Sequence, residues 1–304
     1  MTGTVPASRS GEPDDLEQAA SVFATVRPRL FGIAYRMLGS VAEAEDLVQE
    51  VWLRWQGYDR ASVDNPAAFL ATVATRLAIN AAQSARVRRE VYVGPWLPEP
   101  IDTGADPSIG AERGEALELA VLVLLERLTP TERAAYVLRK AFDYSYREIA
   151  DIIQVKEATV RQLVSRARKH VLAGRRTPVS PKEQRRLLTA FVAAARTGNL
   201  AALEELFAAD VMSYSDGGGV VRASRFPVAG ATRVARYVRA FANRFWPGVE
   251  VRYASTNAQT SAVLLREGAV FAVVTIDASD RGIERVMWMM NPDKITAVPA
   301  PSRP

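Results

Sequence analysis

Residues 144–171, YSYREIADIIQVKEATVRQLVSRARKHV, constrain the chain most. Ser145 and Glu148 stand at the spacing of a capping box, in which hydroxyl and carboxylate each satisfy a free backbone N–H. A helix is therefore predicted to begin near Tyr146. Ile149, Ala150, Ile152 and Ile153 give it an apolar side, and residues 154–156 interrupt the pattern. Val160, Leu163, Val164, Ala167 and Val171 then recur at spacings of three and four, on one face of a second helix. Its other face carries Ala158, Gln162, Ser165 and Lys169, flanked by Arg161, Arg166 and Arg168. Residues 156–176 hold seven Lys or Arg and one acid, Glu157. This reads as a helix-turn-helix whose second helix suits the major groove. Taken alone, the segment is explained about equally well as an amphipathic pair with a solvated basic face.

A length of 304 fits two domains or three small ones, and 48% hydrophobic residues suffice for packed cores. The chain has no cysteine, which removes disulfides and thiolate metal sites. Its single histidine, His170, rules out a two-histidine metal site, and no cofactor is expected. No apolar run approaches the roughly 20 residues of a membrane span. The first residues lack a signal peptide's apolar core, so the expected setting is the reducing cytoplasm. The net charge of +5 hides blocks: residues 1–180 carry 23 basic and 23 acidic side chains, residues 181–304 carry 16 and 11. Local clusters therefore say more than the total.

Residues 1–18 read as a disordered tail and residues 19–95 as a first helical unit. Phe23, Val26, Leu30, Ala34 and Met37 mark a helix that Gly39 and Ser40 end. Leu47, Val48, Val51, Trp52 and Trp55 form the inner face of the next, and Glu43, Asp46, Gln49 and Glu50 its acidic outer face. Asn65-Pro66 opens a third helix with Phe69, Leu70, Val73 and Leu77 inside. Arg76, Asn80 and Gln83 share a stripe on it, and it runs out into Arg86, Arg88 and Arg89. An acidic helix that binds protein and a basic one that binds DNA fit this pattern, and so does a plain three-helix bundle. Residues 96–113 read as a linker, in which Trp96, Leu97, Pro98, Glu99 and Pro100 include two large apolar side chains that need a place to pack. Residues 114–176 form a second helical unit. Thr129-Pro130-Thr131-Glu132 is an N-terminal signature just before the helix-turn-helix.

The order of these units resembles a known family. AEAEDLVQEVWLRW is similar to the polymerase-binding helix of bacterial sigma factors, and NPAAFLATVATRLAIN to the helices that open and read the upstream edge of the promoter bubble. LTPTERAAYVLRKAFDYSYREIADIIQVKEATVRQLVSRARKHV resembles region four throughout. The match is to the extracytoplasmic-function (ECF) group of the sigma-70 family. The resemblance implies a protein without catalytic chemistry that binds core RNA polymerase and promoter DNA. It implies that Asp46, Gln49 and Glu50 lie against polymerase. It puts Thr159, Arg161, Gln162, Ser165 and Arg166 on the distal promoter element. Tyr58, Arg76, Asn80, Gln83, Arg86 and Arg88 would serve the melted region, with Tyr58 as a stacking platform. Asn80, Gln83 and Lys156 depart from the acid, the base and the small cap common there, which bears on promoter sequence and not on fold.

Residues 177–185 read as a second linker, 186–297 as a third domain and 298–304 as a tail. Helical patterns at 187–196, 200–207 and 230–245 accompany strand patterns at 249–255, 261–266, 269–277 and 283–290. Helices with a curved antiparallel sheet make an α+β cone, similar to the SnoaL-like domain of the nuclear transport factor two superfamily. That likeness leaves room for an unknown small-molecule ligand. Asp216, Gly217, Gly218 and Gly219 read as a tight turn in which glycine supplies positive φ. WLPEP at 96–100, DGGGV at 216–220 and NPDKI at 291–295 together resemble the SigJ-like group of ECF factors. The resemblance implies that the C-terminal domain is a built-in regulator. Asp216, Gly217, Gly218, Gly219, Asn291, Pro292, Asp293 and Lys294 would then lie near the linker or the sigma halves. Glu99 is an ionic partner open to Lys294, an exposed pair contributing about 0–1 kcal/mol.

The expected fold is thus multidomain, with two all-α sigma domains and an α+β SnoaL-like cone. Two alternatives remain. A ligand-responsive helix-turn-helix regulator would bind duplex DNA without polymerase, and the acidic first-unit helix argues against it. A SnoaL-like enzyme with a DNA-binding appendage is weakened by the lack of a second histidine.

Overall fold

The computed structural model describes residues 13–104, 117–296 and 298. Most of both expected tails, and the linker from 105 to 113, lie outside the described residues.

The first unit is three helices, α1 (Pro13–Leu38), α2 (Val41–Gln56) and α3 (Pro66–Glu90). α1 begins earlier than the expected boundary at residue 19 because that turn has partners. Asp15 pairs with Arg60, and Trp55 Nε1 donates to the Ala19 carbonyl at 3.2 Å. Ser40 caps α2 by accepting from the Glu43 N–H, and Asn65 caps α3 with Pro66 in its first turn, where a missing N–H costs nothing. Gly39, at φ 65°, turns the chain between α1 and α2; a Cβ there would lie 2.7 Å from the Trp96 ring.

The second unit is α4 (Leu119–Leu125), α5 (Pro130–Ala141), α6 (Tyr146–Ile153) and α7 (Glu157–Gly174). Both expected capping boxes form, at Thr129/Glu132 and Ser145/Glu148. Gln154 adopts the left-handed conformation and makes the tight joint between α6 and α7. The two helical units share a single apolar core. Leu30, Ile33 and Met37 of α1 belong to the same buried cluster as Val137 and Leu138 of α5, Ile149 of α6 and Val160 of α7.

The third domain opens with α8 (Pro181–Thr197), capped by Ser180, so the connector is shorter than the expected 177–185. α9 (Leu200–Leu206) and α10 (Ala231–Phe245) complete its helical layer. Its strands are β1 (Phe207–Asp216), β2 (Val228–Ala229), β3 (Val249–Thr256), β4 (Gln259–Arg266), β5 (Ala269–Ser279) and β6 (Gly282–Met289). They form one six-stranded sheet in the order β2-β1-β6-β5-β4-β3. The expectation of a purely antiparallel sheet needs correction, since β1 and β6 run parallel. The meander β3 to β6 returns its last strand beside the first, in the same direction.

Both faces of this sheet are apolar, and both are covered. Ala262, Leu264, Val274, Ile276, Val286 and Trp288 face the helical layer. The alternate residues Val263, Leu265, Val273, Met287 and Met289 pack instead with Leu97 of the linker and Leu119 and Ala120 of α4. The second face of the C-terminal domain is thus closed by the sigma-like part of the chain. α11 (Pro292–Ile295) follows β6 and adds Ile295 to this second cluster.

Candidate functional site

The WLPEP, DGGG and NPDK segments meet in one buried clasp. β1 ends at Asp216, which is wholly buried, and the chain turns away through Gly217, Gly218 (φ 62°) and Gly219 (φ 76°). A Cβ on Gly218 would come within 2.5 Å of the Asn291 side chain, so only glycine fits there. One Asp216 carboxylate oxygen accepts from Tyr92 Oη at 2.6 Å and from the Gly218 N–H at 3.1 Å. The other accepts from the Leu97 N–H at 2.9 Å and from Lys294 Nζ at 2.8 Å. Lys294 also donates to the Leu97 carbonyl at 2.7 Å, with its ammonium 4.2 Å from the Trp96 ring centroid. Asn291 caps α11 through the Asp293 N–H, behind Pro292, and donates to Tyr92 Oη at 2.9 Å.

The expected ionic partner of Lys294 is therefore replaced. Glu99 accepts from the Val41 N–H at the start of α2, its carbonyl accepts from Tyr35 Oη, and its own N–H donates to the Gly39 carbonyl. A carboxylate at a helix N-terminus is stabilised there. Lys294 is drawn inward to Asp216, and the expected exposed pair is a buried one. Burial holds the Lys294 ammonium below its usual lysine pKa, and the Asp216 charge opposes that shift. Breaking such a pair from one side costs about 3–5 kcal/mol.

A second junction lies at the β3–β4 turn. Asn257 is wholly buried, at φ 51°. Its Oδ1 accepts from the Ile101 N–H at 3.1 Å. Its Nδ2 donates to Tyr35 Oη at 2.7 Å and to the Leu117 carbonyl at 3.2 Å. One amide thereby touches α1, the linker and the start of the second helical unit. Beside it, Thr103 bonds Ser255 through backbone and side chain, with the two hydroxyls 3.1 Å apart.

A third contact joins the end of α7 to the sheet. Arg175 pairs with Asp277 at 3.1 Å and with Glu118, and Asp277 is also held by Arg285 at 2.6 Å. Burial disfavours the Arg175 charge, but Asp277 and Glu118 outweigh it and hold the guanidinium above its usual pKa. Between the helical units, Glu126 bridges Arg89 and Arg133, and Arg133 donates to the Met37 carbonyl at 2.6 Å. Burial lowers the Arg89 pKa, and its guanidinium lies 3.5 Å from the Trp96 ring centroid.

The residues expected to face DNA and polymerase occupy the opposite surfaces. Thr159, Arg161, Gln162, Ser165 and Arg166 all lie exposed on α7. Arg161 pairs with Glu157 at 2.5 Å, and Arg166 with Glu132 at 3.0 Å. Asp46, Gln49 and Glu50 are exposed on α2, with Glu50 paired to Arg54. Asn80, Gln83, Arg86 and Arg88 are exposed along α3, Arg88 pairing with Glu43. Asn80 and Arg88 share a groove with Asp46 and Glu50, so the acidic and basic stripes adjoin. Tyr58 is 45% exposed and lays its ring 4.4 Å from that of Phe69. Arg76 differs from its expected role: it donates to the Ile152 carbonyl at 2.8 Å and the Asp151 carbonyl at 3.3 Å, tying α3 to the end of α6. Cations favour the free carbonyls of a helix C-terminus. Tyr35, Tyr92, Arg89, Asn257 and Arg175 were not singled out from sequence, which held no local signal for their distant partners.

Comparison with known proteins agrees with this arrangement. Residues 22–88 match the family described as Sigma-70 region 2, and residues 118–171 match Sigma-70, region 4. The chain is 35% identical over 301 residues to the ECF RNA polymerase sigma factor SigJ of Mycobacterium tuberculosis, covering 93% of this chain and 95% of that one. It is 33% identical over 213 residues to the probable ECF RNA polymerase sigma factor SigI of the same species, covering 68% of this chain and 71% of that one. The crystal structure of M. tuberculosis SigJ aligns with a TM-score of 0.75 at 31% identity, over 93% of this chain and 100% of that one. With two helical units in the family's order and a relative matched from end to end, the chain belongs to the ECF group of the sigma-70 family.

Proposed function

We propose that this chain is a sigma factor that gives core RNA polymerase its promoter specificity and is restrained by its own C-terminal domain. The observation that carries the reading is the clasp: the linker joining the two helical units is held at Leu97 by Asp216 and Lys294 of the third domain. A protein that reads a melted region and a distal element must set two units apart along the promoter. Here they share one core, and the linker that would have to extend is buried against a sheet. In the open form, α2 offers Asp46, Gln49 and Glu50 to a basic surface of polymerase. Gln162 and Arg161 of α7 offer an amide and a guanidinium to base edges and phosphates.

We assign no chemical step to the C-terminal domain. Its buried carboxylate, Asp216, spends its hydrogen bonds on the linker and its own turn. Among the described residues no group of acids and histidines is placed to hold a metal ion, and no helix is long and apolar enough to cross a membrane.

The test is competition with the primary sigma factor for core RNA polymerase, comparing the full chain with a truncation after Arg176. The truncated form is expected to bind more tightly and to initiate more transcription. Equal binding and equal initiation would remove the restraint, and no binding by either folded form would remove the sigma assignment.

A further inference from the structure

On the face of the sheet turned away from the clasp, an apolar cavity of about 60 Å³ opens beneath α10. Tyr237, Phe241 and Phe245 of α10 wall it together with Trp246 and Trp288. The rings meet edge to face, Tyr237 and Phe241 at 5.0 Å and Phe245 and Trp288 at 5.6 Å. Such a cage suits a flat, electron-rich or neutral ring. Two polar groups go with it. Trp288 Nε1 is buried and has no acceptor, an unfavourable state that a ligand acceptor would relieve. Arg222, exposed at the mouth, has no hydrogen bond or ion pair among the described residues. A guanidinium beside an aromatic cage matches a carboxylate carried on a ring.

We propose that this cavity binds a small aryl carboxylate, with the ring in the cage, the carboxylate on Arg222 and Trp288 as a second donor. Occupancy is transmitted to the clasp. Ser215 and Met290 line the cavity and directly precede Asp216 and Asn291, and the Met290 N–H donates to the Asp216 carbonyl at 2.8 Å. A ligand that displaces either residue moves the carboxylate that holds Leu97. The transmission rests on the proposed restraint by the C-terminal domain, whereas the binding does not.

The test uses the full chain with phenylacetate and its uncharged analogue phenylacetamide, read by calorimetry and tryptophan fluorescence. Phenylacetate is expected to bind about tenfold more tightly than the amide at low salt. Arg222→Gln is expected to erase that difference without moving the unfolding temperature, and Phe241→Ala to weaken both ligands. Hydrogen exchange at the Leu97 amide is expected to change severalfold on phenylacetate addition. Absence of millimolar binding, equal binding of acid and amide, or indifference to Arg222→Gln would overturn the site. Binding as expected with unchanged exchange at Leu97 would overturn the transmission. Neither readout involves polymerase, so these failures are distinct from failure of the sigma reading.

Discussion

Lys294 Nζ sits 2.8 Å from the Asp216 carboxylate, and both side chains are shut away from solvent. The pair does not merely close the C-terminal domain on itself, because both members also bond the backbone of Leu97. Lys294→Met leaves a buried carboxylate and a carbonyl without their donor, and is expected to destabilise the closed chain by about 3–5 kcal/mol. The double change Lys294→Met with Asp216→Asn is expected to recover part of that loss, since no charge remains buried. Denaturant unfolding and proteolysis of the linker measure both. Unchanged midpoints and cleavage rates in Lys294→Met would mean that the pair holds nothing.

Asn257 combines a left-handed backbone with three side-chain bonds to other parts of the chain. Asn257→Gly keeps the backbone conformation and loses the bonds, while Asn257→Ala loses both. Each lost buried bond costs about 1–3 kcal/mol, and alanine at this φ adds about 1 kcal/mol over glycine. Thermal unfolding is expected to rank wild type above Asn257→Gly and that above Asn257→Ala. A reversed order of the two variants would place the strain elsewhere.

Arg76 ties the first helical unit to the second through the Ile152 and Asp151 carbonyls. If this contact belongs to the restrained form, Arg76→Ala frees the units and raises transcription by the holoenzyme. If Arg76 serves chiefly on DNA, the same change lowers it. Initiation assays on one promoter separate the two, and the expected direction is upward.

The clasp and its neighbours also set an alkaline limit. Burial raises the phenol pKa values of Tyr35 and Tyr92 above the usual tyrosine range, and Asp216 pushes Tyr92 further up. A raised folded pKa means that the stability is fully present below about pH 10, the unfolded value, and is lost as the pH rises through the folded pKa. Lys294 works the other way, since its lowered pKa favours folding with rising pH, but only up to its unfolded value near 10.4. Stability is therefore expected to fall from about pH 10.5 upward. Tyr35→Phe and Tyr92→Phe together are expected to flatten that fall, as read from urea midpoints between pH 8 and 11.

The helical units were legible because their signals are local. Capping boxes at Thr129 and Ser145 span three residues, and apolar spacing marks buried faces within two turns. The early start of α1 was hidden because it depends on Arg60 and Trp55, not on a cap. Strand positions were legible, but not the direction of β1 against β6, because a strand covered on both faces gives the same pattern either way. The three clasp motifs were visible as odd punctuation. Their wiring was not: Tyr92 and Asp216 stand 124 residues apart, and Tyr35 and Asn257 stand 222 apart. Polar pairs of that kind have no periodicity, which is why Glu99 was offered as the partner of Lys294 and Arg76 as a DNA contact.

The most direct measurement uses the absence of cysteine from the chain. Thr103 Oγ1 and Ser255 Oγ lie 3.1 Å apart, joining the linker to β3 of the C-terminal domain. Thr103→Cys with Ser255→Cys gives a pair that can be locked by oxidation and released by reduction. Core polymerase binding and promoter-specific initiation are then compared in the two redox states of one preparation. The restraint account predicts weak activity when locked and full activity after reduction. Equal initiation by the locked and reduced forms would contradict it.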